Sequence, residues 1–142
     1  LLLGSALALT SAGARAEEFL RRGAITPPIL VGIYNTGFNR MNEYAPTRAE
    51  FTGWDGEKCR STGDAKRYAK FVVSELKPFI DARYLTLPGQ RTTSLVGSSM
   101  GGLVSLYTML WHPRTFGAVA ALSPSLWWDN RVVFQDFGRL LR

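Results

Sequence analysis

The residues best placed to do chemistry in this 142-residue chain are Gly97-Ser98-Ser99-Met100-Gly101. A serine hydroxyl becomes a useful nucleophile when a base takes its proton and donors receive the charge that develops on the attacked carbonyl oxygen. The flanking residues meet the geometric part of that demand. Leu95 and Val96 read as the end of a buried strand, and Leu103, Val104, Leu106, Tyr107 and Leu110 as the buried side of a helix. A strand that reverses directly into a helix brings two backbones together, so the residues two before and two after the bend must be small. Gly97 and Gly101 are. Ser99 is therefore expected at positive φ, with its hydroxyl lifted above the sheet edge. The backbone N–H of Met100 is expected to face the substrate oxygen from the positive end of the helix. On this reading Ser99 is the catalytic nucleophile and Met100 supplies an oxyanion-hole amide. The blander alternative is a glycine-rich turn that only packs tightly.

The elements needed to hold that turn can be traced along the chain. Residues 16 to 22 read as a short helix stopped by Gly23, and Pro27-Pro28 forces extended backbone. Ile29 to Tyr34 is a nearly continuous apolar run, the pattern of a strand buried on both faces. Asn35 to Gly63 is loop-rich and long enough to line a site. Asp64 is placed to cap a helix whose Tyr68, Phe71, Val72, Leu76, Phe79 and Ile80 recur at helical spacing, and Pro78 is expected to kink or end it. Thr92 to Val96 is the second strand, Met100 to Trp111 a helix ended by Pro113, and Ala118 to Leu122 a third strand. Ser123-Pro124-Ser125 is a loop leading to Leu126-Trp127-Trp128, and Val132 to Leu141 is weakly amphipathic and helical. Strands alternating with helices predict an α/β fold, a parallel sheet covered by helices on both faces.

Composition narrows the classes. Hydrophobic residues make up 46% and charged residues 20%, which is globular. The net charge is +6, but its carriers are scattered (Arg21-Arg22, Lys66-Arg67, Lys70, Arg139, Arg142), with no basic run interleaved with stacking aromatics. Nucleic-acid binding is not expected. No apolar run reaches the ~18 residues of a membrane span. Cys59 is the one cysteine, in the polar stretch Glu57 to Arg60, and reads as an incidental thiol without metal-ligand spacing. Leu1 to Leu9 with Ala14-Arg15-Ala16 is compatible with a secretory signal remnant, or with Leu1-Leu2-Leu3 as the tail of a buried strand. The lack of an initiator Met and of a basic leading segment favours the second. Whether the protein is cytoplasmic or exported stays open.

Several segments together resemble the serine esterase family within the α/β-hydrolases. They are Gly32-Ile33-Tyr34-Asn35, Arg40 with Glu43-Tyr44-Ala45-Pro46, Glu75 to Ile80, Gly97 to Leu103, and Phe116-Gly117 followed by Leu122-Ser123-Pro124-Ser125. That family includes siderophore (enterochelin) esterases, S-formylglutathione hydrolase, feruloyl esterases and mycolyl transferases. The Gly-Ser-Ser-Met-Gly-Gly form and the closing Trp127-Trp128 look most like the siderophore-esterase branch. The resemblance implies a partial α/β-hydrolase fold with its nucleophile elbow at residues 97–101. It also implies a small-molecule ester as substrate and hydrolysis through an acyl-enzyme on Ser99, with neither metal nor cofactor. A second oxyanion amide belongs to the family pattern; only Leu3-Gly4 stands at a suitable place, without the usual Asp, so the role is not assigned.

The order of catalytic residues in this fold is Ser, then acid, then His. The sole histidine, His112, lies thirteen positions along the helix that Ser99 opens. At ~1.5 Å per residue that is about 20 Å away, far beyond the ~3 Å a base must reach. His112 reads as a helix-terminal residue. Asp129 and Asp136 are the only acids after Ser99 and do not match the family position. With ~30 residues per strand–helix unit, 142 residues are expected to form one incomplete domain, inactive or nearly so by itself. Tyr34, Asn35 and Arg40 follow a strand end, the usual ligand edge of such sheets, and Trp127 and Trp128 are placed to wall an aromatic pocket. Acyl transfer by the same fold, or a non-catalytic truncated relative, are the alternatives.

Overall fold

A computed structural model describes residues 2–3, 14–15, 17–24, 27–53 and 55–140. In chain order these carry β1 (Leu2–Leu3), a helical segment α1 at 17–21, β2 (Gly32–Ile33), a 3-10 turn (Gly37–Asn39) and α2 (Arg40–Glu43). There follow the antiparallel hairpin β3 (Glu50–Thr52) and β4 (Lys58–Arg60), then α3 (Ala65–Phe71), a π-helical stretch (Val72–Leu76) and α4 (Lys77–Arg83). Last come β5 (Ser94–Ser98), α5 (Met100–Trp111), β6 (Ala118–Leu122) and α6 (Trp128–Leu140). β1, β2, β5 and β6 form one parallel sheet in the order β2-β1-β5-β6, a partial α/β-hydrolase fold.

The strand at Leu2–Leu3 agrees with the reading of Leu1 to Leu3 as a strand tail: it lies between β2 and β5, with Leu2 opposite Gly32 and Val96. Leu1, residues 4–13 and Ala16 lie outside the described residues, so most of the signal-remnant reading, and Gly4, do too.

The site rests on how β5 and α5 meet. Side chains alternate along a strand, so Leu95 and Gly97 share a face. Leu95 is fully buried in a cluster with Val72 and Phe116, and Gly97 lies directly under α5. Helix α5 is enclosed. Leu103, Val104 and Tyr107 are buried against Tyr44, Ala45, Ala65, Trp128 and Val133. Burial of such a side chain contributes about 1.5–3 kcal/mol, which makes α5 the most strongly anchored helix next to the turn. The opposite face of the sheet carries Ala118, Ala120 and Leu122 of β6, and all three are exposed.

Five expectations need correction. The apolar run Ile29 to Tyr34 is strand only at Gly32–Ile33, and Ile29 and Leu30 are exposed rather than buried on both faces, because β2 pairs with β1 over two residues only. The stretch from Asn35 to Gly63 is not simply loop, since it holds α2 and the hairpin. Pro78 neither ends nor visibly breaks its helix. Helical backbone continues to Arg83, and the Lys77 N–H bonds back five residues to Val72 O. The wider π-helical turn takes up the missing donor and the ring. Asp64 occupies the cap position without a side-chain capping bond; its carboxylate accepts from the Thr62 hydroxyl instead. Phe71 and Phe79, placed on the buried stripe by spacing, are exposed. The tail helix also has an unforeseen start: Asp129, Asn130 and Arg131 are all left-handed, with φ of 43°, 53° and 63°.

Candidate active site

Ser99 lies between β5 and α5 with φ 55° and ψ −123° and is exposed. That conformation costs a residue with a Cβ about 1–3 kcal/mol and persists only where the surroundings fix it. Three backbone hydrogen bonds fix it here. Ser99 N–H donates to Leu122 O at 3.0 Å, while Ser99 O accepts from Leu103 N–H and Ser125 N–H, each at 3.1 Å. The steric reading of Gly97 is explicit: a Cβ there would lie 2.2 Å from Gly101 O and 2.4 Å from Gly101 C. Gly102 likewise admits Pro124, whose Cβ would be 3.1 Å from a Cβ added at that glycine. Met100 opens α5 and is buried, and an amide at the first position of a helix has no acceptor in its own helix. An exposed hydroxyl beside a helix N-terminus can attack a carbonyl and leave the resulting oxyanion near those amides.

The histidine and the two acids after Ser99 are placed elsewhere. His112 caps the far end of α5, where its backbone N–H donates to Thr108 O. Asp129 accepts from the Thr47 hydroxyl at 2.6 Å, and Thr47 in turn accepts from Trp128 Nε1 at 3.3 Å. Asp136 accepts from Tyr107 OH at 2.7 Å and pairs with Arg139. Burial, with Asp136 beside it, pushes the Tyr107 phenol well above its ordinary range. None of these groups is bonded to the Ser99 hydroxyl, whose partner is Ser125 Oγ at 3.2 Å.

The candidate substrate contacts divide. In a parallel sheet all strand C-termini share one edge, so Tyr34 after β2 and Ser99 after β5 lie on the same edge, about 10 Å apart across β1 at ~4.8 Å per strand. Tyr34 is 74% exposed. Asn35 and Arg40 are committed to the turn that follows: Asn35 Oδ1 accepts from Gly37 N–H at 2.9 Å, and Arg40 Nη1 donates to Gly37 O at 3.0 Å. Trp127 is 58% exposed, whereas Trp128 is 1% exposed beneath it, with ring centroids 5.8 Å apart. Trp127 lines a cavity of about 570 Å³ together with Arg48, Phe51, Arg60 and Asn130. Ser99 is not among its walls. The spacing argument missed Ser125, Arg48 and Arg60. Ser125 had a usable signal, since it follows a strand at the same sheet edge; the arginines had none, because Arg48 precedes the hairpin and the strand holding Arg60 is too short for its alternation to register.

A parallel sheet whose strand runs through an exposed, positive-φ serine into a buried helix is the architecture of an α/β-hydrolase. The chain belongs to the Esterase family, whose family model matches residues 3–138. It is similar to the siderophore enterobactin esterase of Emericella nidulans, 31% identical over 90 residues, which are 63% of this chain and 30% of that protein. It is also similar to the ferri-bacillibactin esterase BesA of Bacillus subtilis, 30% identical over 122 residues, 78% of this chain and 40% of that protein. Its backbone superposes on the crystal structure of the BES protein from Bacillus cereus with a TM-score of 0.82 at 24% identity, covering 99% of this chain and 56% of that one. The chain thus spans between about a third and a little over half the length of these relatives.

Proposed function

We propose that Ser99 is the nucleophile of an esterase that cleaves small-molecule carboxylic esters, of the siderophore type named for its relatives. The observation that carries this is the conformation of Ser99: exposed, at φ 55°, on the bend between β5 and the N-terminus of α5. Strain of that kind concentrates where a side chain must be presented to a reactant. The names of the relatives support an ester as substrate.

In the proposed reaction the Ser99 Oγ–C bond forms as a base takes the hydroxyl proton, and the carbonyl π pair moves onto oxygen beside the Met100 N–H. Collapse expels the alcohol, which takes the proton from the base. Water then repeats the sequence and frees the acid. The base is a histidine supplied from outside these residues, since the single histidine of the chain lies at the far end of α5. These residues are accordingly one portion of a longer domain. Tyr34 and Trp127 contact substrate, Asn35 and Arg40 shape the turn that carries Tyr34, and Trp128 supports Trp127 from below.

The test is hydrolysis of an ester-linked siderophore by the whole protein that carries these residues, with the released acid quantified. Ser99→Ala is expected to lower turnover at least about 10³-fold. Turnover by Ser99→Ala within tenfold of the parent would refute the assignment. An ester product formed with an added acceptor alcohol, in preference to the acid, would reassign the same site to acyl transfer.

A further inference from the structure

The loop Ser123-Pro124-Ser125 has no role in the reaction as described, yet Ser125 bonds both the backbone and the hydroxyl of Ser99. Ser125 is 2% exposed. Its N–H donates to Ser99 O at 3.1 Å, and its Oγ lies 3.2 Å from Ser99 Oγ. The loop is itself held tightly. Ser123 is strained at φ 42°, Pro124 packs against Gly102 at the start of α5, and Ser125 O accepts from the N–H of the buried Trp128 at 3.2 Å. A buried hydroxyl fixed at both backbone ends has little freedom to turn elsewhere, and among the described residues its bonded partner is the Ser99 oxygen.

We infer that Ser125 is a positioning residue that donates a hydrogen bond to Ser99 Oγ throughout the reaction, an inference that rests on Ser99 being the nucleophile. Two hydroxyls share one hydrogen bond, so one must donate. Once a base engages the Ser99 proton, Ser99 Oγ can only accept, and Ser125 becomes the donor. That bond fixes the Ser99 rotamer with a lone pair free for the carbonyl carbon. It strengthens as Oγ becomes more negative, both when Oγ loses its proton and when it leaves the acyl-enzyme. The balance is simple: the Ser99 proton goes to the base, the Oγ–C bond forms and later breaks, and Ser125 keeps its own proton.

The test is the second-order rate at which a fluorophosphonate labels Ser99 in the whole protein, read with the final extent of labelling. Ser125→Ala is expected to slow labelling about tenfold at an unchanged final extent, the effect of one neutral hydrogen bond, with Ser125→Thr restoring the rate to within threefold. If Ser125→Ala lowers the final extent because it folds poorly, Ser125→Cys, similar in size but a weak donor, is read instead, with the same tenfold slowing expected. A labelling rate within twofold of the parent in whichever of these variants labels fully would overturn the inference, as would equal slowing in Ser125→Thr. Failure of the parent to label at all is distinguishable from these results. It would remove the nucleophile itself and this inference with it.

Discussion

At the scale of single residues, the argument turns on backbone that most side chains avoid. Ser99 holds φ 55° because three backbone bonds and a glycine-lined contact leave it no alternative. Glycine adopts that region freely, whereas alanine carries the same steric cost as serine. Ser99→Gly is therefore expected to be about 1 kcal/mol more stable than Ser99→Ala in urea denaturation, although neither has the nucleophile; equal midpoints would show that the turn is unstrained. Gly97→Ala has the opposite sign. Its Cβ would meet Gly101 backbone at 2.2 Å, where nothing flexible can yield. Destabilisation of about 3 kcal/mol is expected, and a loss under about 1 kcal/mol would mean that the β5–α5 contact is looser than described. Both features were legible in the sequence, because the requirement for small residues around a strand-to-helix reversal is local. The position of Ser125 after a strand at the same edge was legible too, but its bond to Ser99 was not, because it joins residues 26 positions apart.

Among the elements, α5 and its neighbours carry the packing. Trp128 is fully buried and anchors α6 to Thr47 and to Phe51 of the hairpin, while its neighbour Trp127 faces solvent. Trp128→Ala is expected to cost about 3–5 kcal/mol and Trp127→Ala to stay within about 0.5 kcal/mol, measured by the same denaturation. Comparable costs would contradict this division of roles. Tyr44 and Tyr68 meet edge to face at 5.0 Å with both hydroxyls buried and unpartnered among the described residues. Burial raises both phenols above their ordinary range, for Tyr68 with further help from Tyr44 and Glu43. In the unfolded chain they ionise near pH ~10, so their contribution is complete below that pH and lost as pH rises further. Tyr68→Phe is expected to move the alkaline unfolding midpoint upward and to change neutral stability by less than about 1 kcal/mol; a midpoint that stays put would contradict it. The longer helices were readable from the spacing of their apolar residues and the strand at Ala118–Leu122 from its apolar run, whereas the four-residue α2 was not. The hairpin was not, since Glu50-Phe51-Thr52 and Lys58-Cys59-Arg60 are three-residue strands with one apolar position each. Nor was the passage of helix through Pro78, where a π-helical turn overrides a strong local rule.

For the molecule as a whole, the sheet order β2-β1-β5-β6 places every proposed catalytic or substrate-contacting strand end on one edge. It also leaves β6 at the margin, with Ala118, Ala120 and Leu122 exposed. Unpaired strand edges beside apolar surface promote association. Residues 1–142 produced alone are expected to self-associate in sedimentation velocity, less so with Ala120→Lys; a monomer at all micromolar concentrations would contradict this. The parallel order was legible from alternating strands and helices, but the exposed face was not, because apolar patterning reports what a strand can bury and not what is present to cover it. The central claim lies back at Ser99 and is tested most directly by mass spectrometry of the whole protein after fluorophosphonate treatment. One adduct is predicted, on the peptide containing Ser99 and absent from Ser99→Ala; an adduct on another residue, or labelling undiminished in Ser99→Ala, would contradict the account.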